Sequence, residues 1–155
     1  MPRLGLAVAA LVIVADWIVK WWAIGALGGD LYGIEVLPFF NLVLVWNRGI
    51  SFGMFGGGAV APWLLAVVAL GVTLALFIWL RKVVSRLVAV AIGLVIGGAL
   101  GNVVDRFKYG AVADFIDIHW GDYHWPAFNL ADAAISVGVV ILLIDALLIG
   151  SERHK

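Results

Sequence analysis

Asp16 and Lys20, then Asn102, Asp105 and Arg106, then Asn129 and Asp132, are polar residues set inside or at the ends of apolar runs, at spacings of three or four. Residues three and four apart share a helix face. The first pair therefore offers an acid beside an amine. The second set offers an amide, a carboxylate and a guanidinium, and the third an amide and a carboxylate. Two carboxylates held close at low dielectric do not both ionise, so one keeps a proton while the other draws a proton from water. Such a pair titrates as a unit and activates water against a carbonyl, as in aspartic peptidases. Asp132 is one member. Asp114, Asp105 and Asp117 are all candidates for its partner, and residue chemistry alone does not choose among them.

Other chemistries fit less well. His119 and His124 fall in what reads as a loop, no HExxH occurs and there is no cysteine, so no metal site and no cofactor are expected. Gly49-Ile50-Ser51-Phe52-Gly53 matches the G-x-S-x-G nucleophile pattern, but that elbow needs the strand-to-helix turn of an α/β hydrolase. A membrane serine protease pairing Ser51 with His119 is the alternative enzyme. A small transporter relaying charge through Asp16, Lys20, Asp132 and Arg106 is the alternative non-enzyme. A relay needs polar groups along its whole path, and the other half of the bundle offers only Thr73, Ser136 and Asp145. Asp145 lies about 20 Å along the helix from Asp132, and an arginine of the short loop near residues 81–86 is its nearest expected partner. Plain structural roles also cover part of the set: Asp16 and Lys20 can pair with each other, Asn129 is a favoured N-cap, and Asp132 in the first turn complements a helix dipole. They do not explain why Asp16, Lys20, Asn102, Arg106 and Asn129 converge on one depth.

The elements that hold these residues are membrane helices. Of 155 residues 65% are hydrophobic and 13% charged, with ten basic and ten acidic side chains that cancel. Soluble domains are roughly 45–50% apolar and about 25% charged. Disorder, coiled coil, collagen and nucleic-acid binding are excluded, since each needs charge, heptads or a repeat that is absent. Four apolar stretches, Leu4–Ile24, Val60–Leu80, Leu87–Val104 and Ala133–Ile149, come near the roughly 20 residues that span a bilayer. None alternates, so they are helices. With its Asn129 cap the fourth covers about 129–149, and residues 1–155 form one membrane-embedded domain. Leu4–Ala15 behind Arg3 resembles a signal-peptide core, but the run continues through Trp17–Ile24 and reads as an uncleaved first helix.

Lysine and arginine set the orientation. Arg3, Arg81, Lys82, Arg86, Arg153 and Lys155 fall on one side, and Arg48, Arg106 and Lys108 on the other, so both termini are expected in the cytoplasm. Trp21, Trp22 and Trp63 then mark the outer interface and Trp79 the inner one. Asp16 and Lys20 lie about 18 and 24 Å from Leu4, in the outer half. Gly93, Gly97 and Gly101 recur every four residues and give the third helix a smooth packing face. Between the first two helices, Val36–Leu37 and Phe39–Trp46 are β-branched and aromatic, which predicts short strands on the membrane surface. Gly56-Gly57-Gly58 is expected to hinge into the second helix, and the 22 residues Phe107–Phe128 are read as a loop.

Five segments in order carry a resemblance: Asp16-Trp17-Ile18-Val19-Lys20, Asn47-Arg48-Gly49-Ile50-Ser51-Phe52, Gly98-Ala99-Leu100-Gly101-Asn102-Val103-Val104-Asp105-Arg106, Val112-Ala113-Asp114-Phe115 and Phe128-Asn129-Leu130-Ala131-Asp132. Together with the four spans they resemble the bacterial lipoprotein signal peptidases, or signal peptidase II. The resemblance implies an all-α integral membrane protein of four helices, with a small extracytoplasmic β-cradle at about 34–52 and a periplasmic lid in Phe107–Phe128. It implies an inner-membrane aspartic endopeptidase that cuts prolipoproteins just before a diacylglyceryl-modified cysteine, and that globomycin-type cyclic peptides inhibit. It makes Asp114 and Asp132 the catalytic pair. Asn102, Asp105, Arg106 and Asn129 would support the pair and the substrate backbone, Asn47 and Gly49 would meet substrate, and Asp16 and Lys20 would buttress the site. The expected partners are prolipoproteins and membrane lipid, and nothing in the sequence requires more than a monomer. Arg48, Ile50 and Ser51 stand where the family more often has small or uncharged residues, and Ala113 where valine is common.

Overall fold

The computed structural model of the chain describes residues 1–29, 33–49 and 62–152. Ser51 and the Gly56–Gly58 hinge lie outside the described residues. The four apolar stretches form α1 (Pro2–Leu27), α2 (Pro62–Leu80), α3 (Arg86–Tyr109) and α4 (Leu130–Glu152). All four are long and apolar enough to cross a membrane.

Each of α1, α3 and α4 outruns its apolar stretch. The first turn of α1 carries a proline where the missing N–H costs nothing. Ser85 caps α3 by accepting from the Val88 N–H at 3.3 Å. At its other end α3 continues past Val104 through Asp105-Arg106-Phe107-Lys108-Tyr109, where Arg106 and Lys108 complement the helix dipole. It stops at Gly110, whose φ of +68° is a left-handed cap that favours glycine.

α3 is the hub. In its spanning window 72% of residues are buried, against 22%, 17% and 11% for α1, α2 and α4, so the other helices pack on α3 and turn their remaining surface outward. The predicted glycine face is the seam with α1: a Cβ at Gly93 would strike the Gly5 carbonyl, and one at Gly97 would lie 2.7 Å from the Ala9 carbonyl oxygen. Gly98 opposes the Ala131 carbonyl and so gives α4 the same close approach from another side.

The sheet differs from expectation. Among the described residues it has four antiparallel strands in the order β1 (Ile34–Leu37), β2 (Phe40–Asn47), β3 (Val112–Trp120) and β4 (Tyr123–His124). The expected strands before Asn47 are present, but half of the sheet comes from Phe107–Phe128, read above as a loop. Asp114 and Asp117 mask that strand in the sequence, because aspartate is depleted in strands. Here both carboxylates are held by side chains of neighbouring elements, so the strand forms regardless. Register pairs Val45 with Asp114, Trp46 with Ala113 and Asn47 with Val112. Phe115 packs with Ala23 and Leu27, fastening the sheet to the end of α1.

Gly97→Ala should destabilise the protein by about 1–3 kcal/mol, because backbone opposes the new methyl. Gly71→Ala, with nothing within 4 Å, should be neutral or slightly stabilising. Thermal unfolding of both variants in detergent checks the pair.

Candidate active site

The polar residues meet where the sheet covers one end of the bundle. Lys20 is the centre. Its Nζ lies 2.8 Å from Asp16 Oδ2 and 2.9 Å from Asp105 Oδ2, and it donates to Asn102 Oδ1 at 3.0 Å. An ammonium has three protons, and all three are used. The expected Asp16–Lys20 pair is thus present but shared with Asp105 on α3. Asp16 Oδ1 accepts from the Ala131 N–H at 3.0 Å, in the first turn of α4, and Asp105 Oδ2 accepts from the Ala113 N–H at 3.2 Å, in β3. Gly101 makes room for this arrangement: a Cβ there would stand 2.6 Å from Asp16 Oδ2.

The next layer is built of amides. Asn102 Nδ2 donates to Asp132 Oδ1 at 2.7 Å. Asn129 Nδ2 donates to Asp114 Oδ1 at 2.7 Å and to Asn102 Oδ1 at 3.2 Å. Asn129 Oδ1 accepts from the Asp132 N–H at 2.9 Å, and the Asn129 N–H donates to Asp132 Oδ2 at 3.2 Å. This last exchange is a reciprocal capping box at the start of α4. The capping reading of Asn129 and Asp132 therefore describes the local structure, yet the same amide also reaches Asp114. From β2, Asn47 Nδ2 donates to Asp114 Oδ2 at 3.1 Å, while Asn47 Oδ1 accepts from the Gly49 N–H at 3.1 Å. Arg106 Nη1 donates to the Asn102 backbone carbonyl at 3.2 Å; its Nε is buried without a partner among the described residues, in the field of Asp132, Asp114 and Asp105.

Of the three candidate partners of Asp132, Asp114 alone shares a ligand with it, Asn129. Asp105 is turned to Lys20 and Ala113. Asp117 belongs to a separate cluster: Asn41 Nδ2 donates to Asp117 Oδ2 at 3.0 Å, and His124 Nδ1 lies 2.9 Å from both oxygens. That cluster escaped the sequence reading because it depends on register, Asn41 facing Asp117 across β2 and β3. His119 and His124 are not loop residues but lie on β3 and β4, with rings stacked at 4.8 Å. Asp145 is half-buried and makes no ion pair among the described residues, so the expected bond to an arginine of the short loop, Arg81 or Arg86, is absent there. Among the described residues no group of three or more His, Cys, Asp or Glu is arranged to hold a metal.

Burial pushes the Asp114 carboxyl up to about 6, and the charge of Asp132 pushes the same way, against the hydrogen bonds from Asn47 and Asn129. Burial also pushes Asp117 up, but bonds from His124 and Asn41 outweigh it and hold that acid below its usual range.

Four membrane-crossing helices, a surface sheet and two acids joined through one buried amide define a multi-pass membrane protein with the makings of a hydrolytic site. The sequence profile described as Signal peptidase (SPase) II matches residues 8–148, so the chain belongs to that family and is a peptidase. The lipoprotein signal peptidase of Methylorubrum extorquens (strain PA1) is 45% identical over 149 residues, covering 94% of this chain and 86% of that protein. That of Shewanella amazonensis is 43% identical over 152 residues, covering 96% and 89%. A bacterial membrane enzyme solved by the in meso method at 2.3 Å resolution superposes with a TM-score of 0.80 at 31% identity, covering 97% of this chain and 91% of that one. A second, solved at 1.9 Å, gives 0.77 at 28% identity. Membership in a peptidase family displaces the transporter alternative.

Asp114 binds its proton more tightly in the folded chain than in the unfolded one. Between the ordinary carboxylate value of 3.8 and about 6 the native state therefore holds more protons, so its contribution to stability is fully present at low pH and is lost as pH rises through about 6. Unfolding midpoints measured from pH 4 to 7.5 should show this loss, and Asp114→Asn should flatten it.

Proposed function

We propose that this peptidase removes signal peptides from diacylglyceryl-modified prolipoproteins, cutting just before the lipid-bearing cysteine, with Asp114 and Asp132 as the catalytic pair. The observation that carries the reading is the Asn129 bridge. One side chain donates to Asp114 Oδ1 at 2.7 Å and accepts from the Asp132 N–H at 2.9 Å, so the two acids are referred to a single rigid group. Named relatives in Methylorubrum and Shewanella add the substrate class.

The chemistry balances. Asp114, whose carboxyl is pushed up to about 6, is assigned the proton donor's role, and Asp132 the base's. Asp132 takes a proton from water as the water oxygen attacks the scissile carbonyl, and Asp114 passes its proton to the carbonyl oxygen. The tetrahedral species collapses when Asp132 returns the proton to the leaving nitrogen and Asp114 recovers its own. The C–N bond breaks, giving a new carboxyl terminus on the signal peptide and a free amine on the lipidated cysteine. Arg106 and the Asn102 and Asn129 amides hold the acids and substrate backbone, Asn47 and Gly49 border the substrate path, and Asp16, Lys20 and Asp105 fix the framework.

The depth suits the substrate. A diacylglyceryl group stays in lipid, so its scissile bond lies at the bilayer surface, at the level of the ends of α3 and α4. The charge asymmetry of the loops supports a bacterial inner-membrane location with both termini cytoplasmic and the site facing outward. The β2–β3 region then serves as the cradle, with the chain acting as a monomer.

Asp114→Asn and Asp132→Asn should each lower turnover of a diacylated prolipoprotein at least a thousandfold while the protein stays folded, and Ser51→Ala should leave it near normal. Near-normal turnover in either aspartate variant would reject the pair. Globomycin should inhibit the wild type. Asn47→Ala removes a bond that favours ionised Asp114, so the alkaline limb of the pH–kcat profile should move to higher pH.

A further inference from the structure

A second polar niche opens at the same end of the bundle, away from the carboxylates. Trp46 and Arg48, at the end of β2, meet Tyr109 and Ala111, at the end of α3, around a recess of about 200 Å³. Its wall is mostly polar, whereas the recess between α1, α2 and α3 and the one beside Trp120 and Trp125 are apolar. The rings of Trp46 and Tyr109 are 5.1 Å apart, and Lys108 Nζ lies 4.8 Å from the centre of the Tyr109 ring. A cation from β2's end thus lines the recess and a second, from α3, lies on one ring of its aromatic pair. Neither Arg48 nor Lys108 has a carboxylate within 4 Å among the described residues, although Lys20 at this end has two.

Depth supplies the second consideration. α3 runs five residues, about 7.5 Å, past Val104, the last residue of its apolar stretch, so Tyr109 projects into the headgroup layer. Tryptophan and tyrosine favour that layer, and unpaired basic residues there attract anionic lipid. A guanidinium matches two phosphate oxygens as a fork, while an ammonium adds a point charge. The volume equals about seven waters at ~30 Å³ each, room for a phosphate and its ester oxygens but not for an acyl chain.

We propose that the niche lined by Trp46, Arg48, Tyr109 and Ala111, with Lys108 on the Tyr109 ring, binds the phosphate of an anionic phospholipid, seating the sheet against the membrane surface beside the site. The inference is independent of the catalytic assignment.

The test is native mass spectrometry of the full chain released from mixed micelles holding equal phosphatidylglycerol and phosphatidylcholine. The wild type should retain phosphatidylglycerol about 30-fold over phosphatidylcholine, roughly a factor of five per basic residue. Arg48→Gln with Lys108→Gln should bring that ratio near one; both side chains are exposed, so the fold is not at risk. Arg81→Gln with Lys82→Gln, at the opposite end, should leave it unchanged. The proposal is overturned by an equal ratio in the wild type, by a preference that survives the first double variant, or by one that the second abolishes. Loss of the bound lipid in millimolar inorganic phosphate would mark a small-anion site and overturn the lipid assignment.

Discussion

The ammonium of Lys20 is enclosed by Asp16, Asp105 and the Asn102 side-chain oxygen Oδ1, and the arrangement of the whole site follows from satisfying it. A lysine inside a membrane helix costs on the order of 3 kcal/mol, and more where it is left unpaired. Three oxygens from two helices meet its three protons, which fixes α1 against α3 in rotation and in height. The counter-ions then carry the constraint outward, Asp16 to the first turn of α4 through Ala131 and Asp105 to β3 through Ala113. One buried charge thus aligns α1, α3, the start of α4 and β3.

Local and long-range requirements coincide at the start of α4. Asn129 and Asp132 satisfy orphan N–H groups of their own helix, a role many sequences fill with no further purpose. Because Asn129 Nδ2 remains free of that exchange, it can span to Asp114 and Asn102. The glycine seam makes these reaches short: helices separated by side chains at Gly97 and Gly101 would hold Asp16 too far from the Ala131 N–H to accept from it.

Most of this was legible in the sequence. Apolar length gave four helices, and helical spacing grouped Asp16 with Lys20 and Asn102 with Arg106. The every-four glycines foretold a close-packing face on α3, though not that α1 lies against it. What was not legible depends on register and on contacts between segments far apart in the chain. β3 hides behind two aspartates whose partners, Asn47 and Asn41, lie more than sixty residues earlier. The same distance concealed the claim of Asp105 on Lys20. The Asn41–Asp117–His124 cluster needed the β2–β3 pairing before its members could be seen together.

The chain separation within the Lys20 cluster bears on how the protein is made. Lys20 and Asn102 are 82 residues apart, and Asp16 and Ala131 are 115 apart. At about 5–20 residues per second, roughly 4–16 s of synthesis pass between the first helix and the arrival of its α3 ligands. During that interval α1 has only its internal acid–amine pair to offset two ionisable groups in lipid. The nascent protein is therefore inert and least secure at its first helix until the last one has threaded into place, a built-in delay between translation and activity.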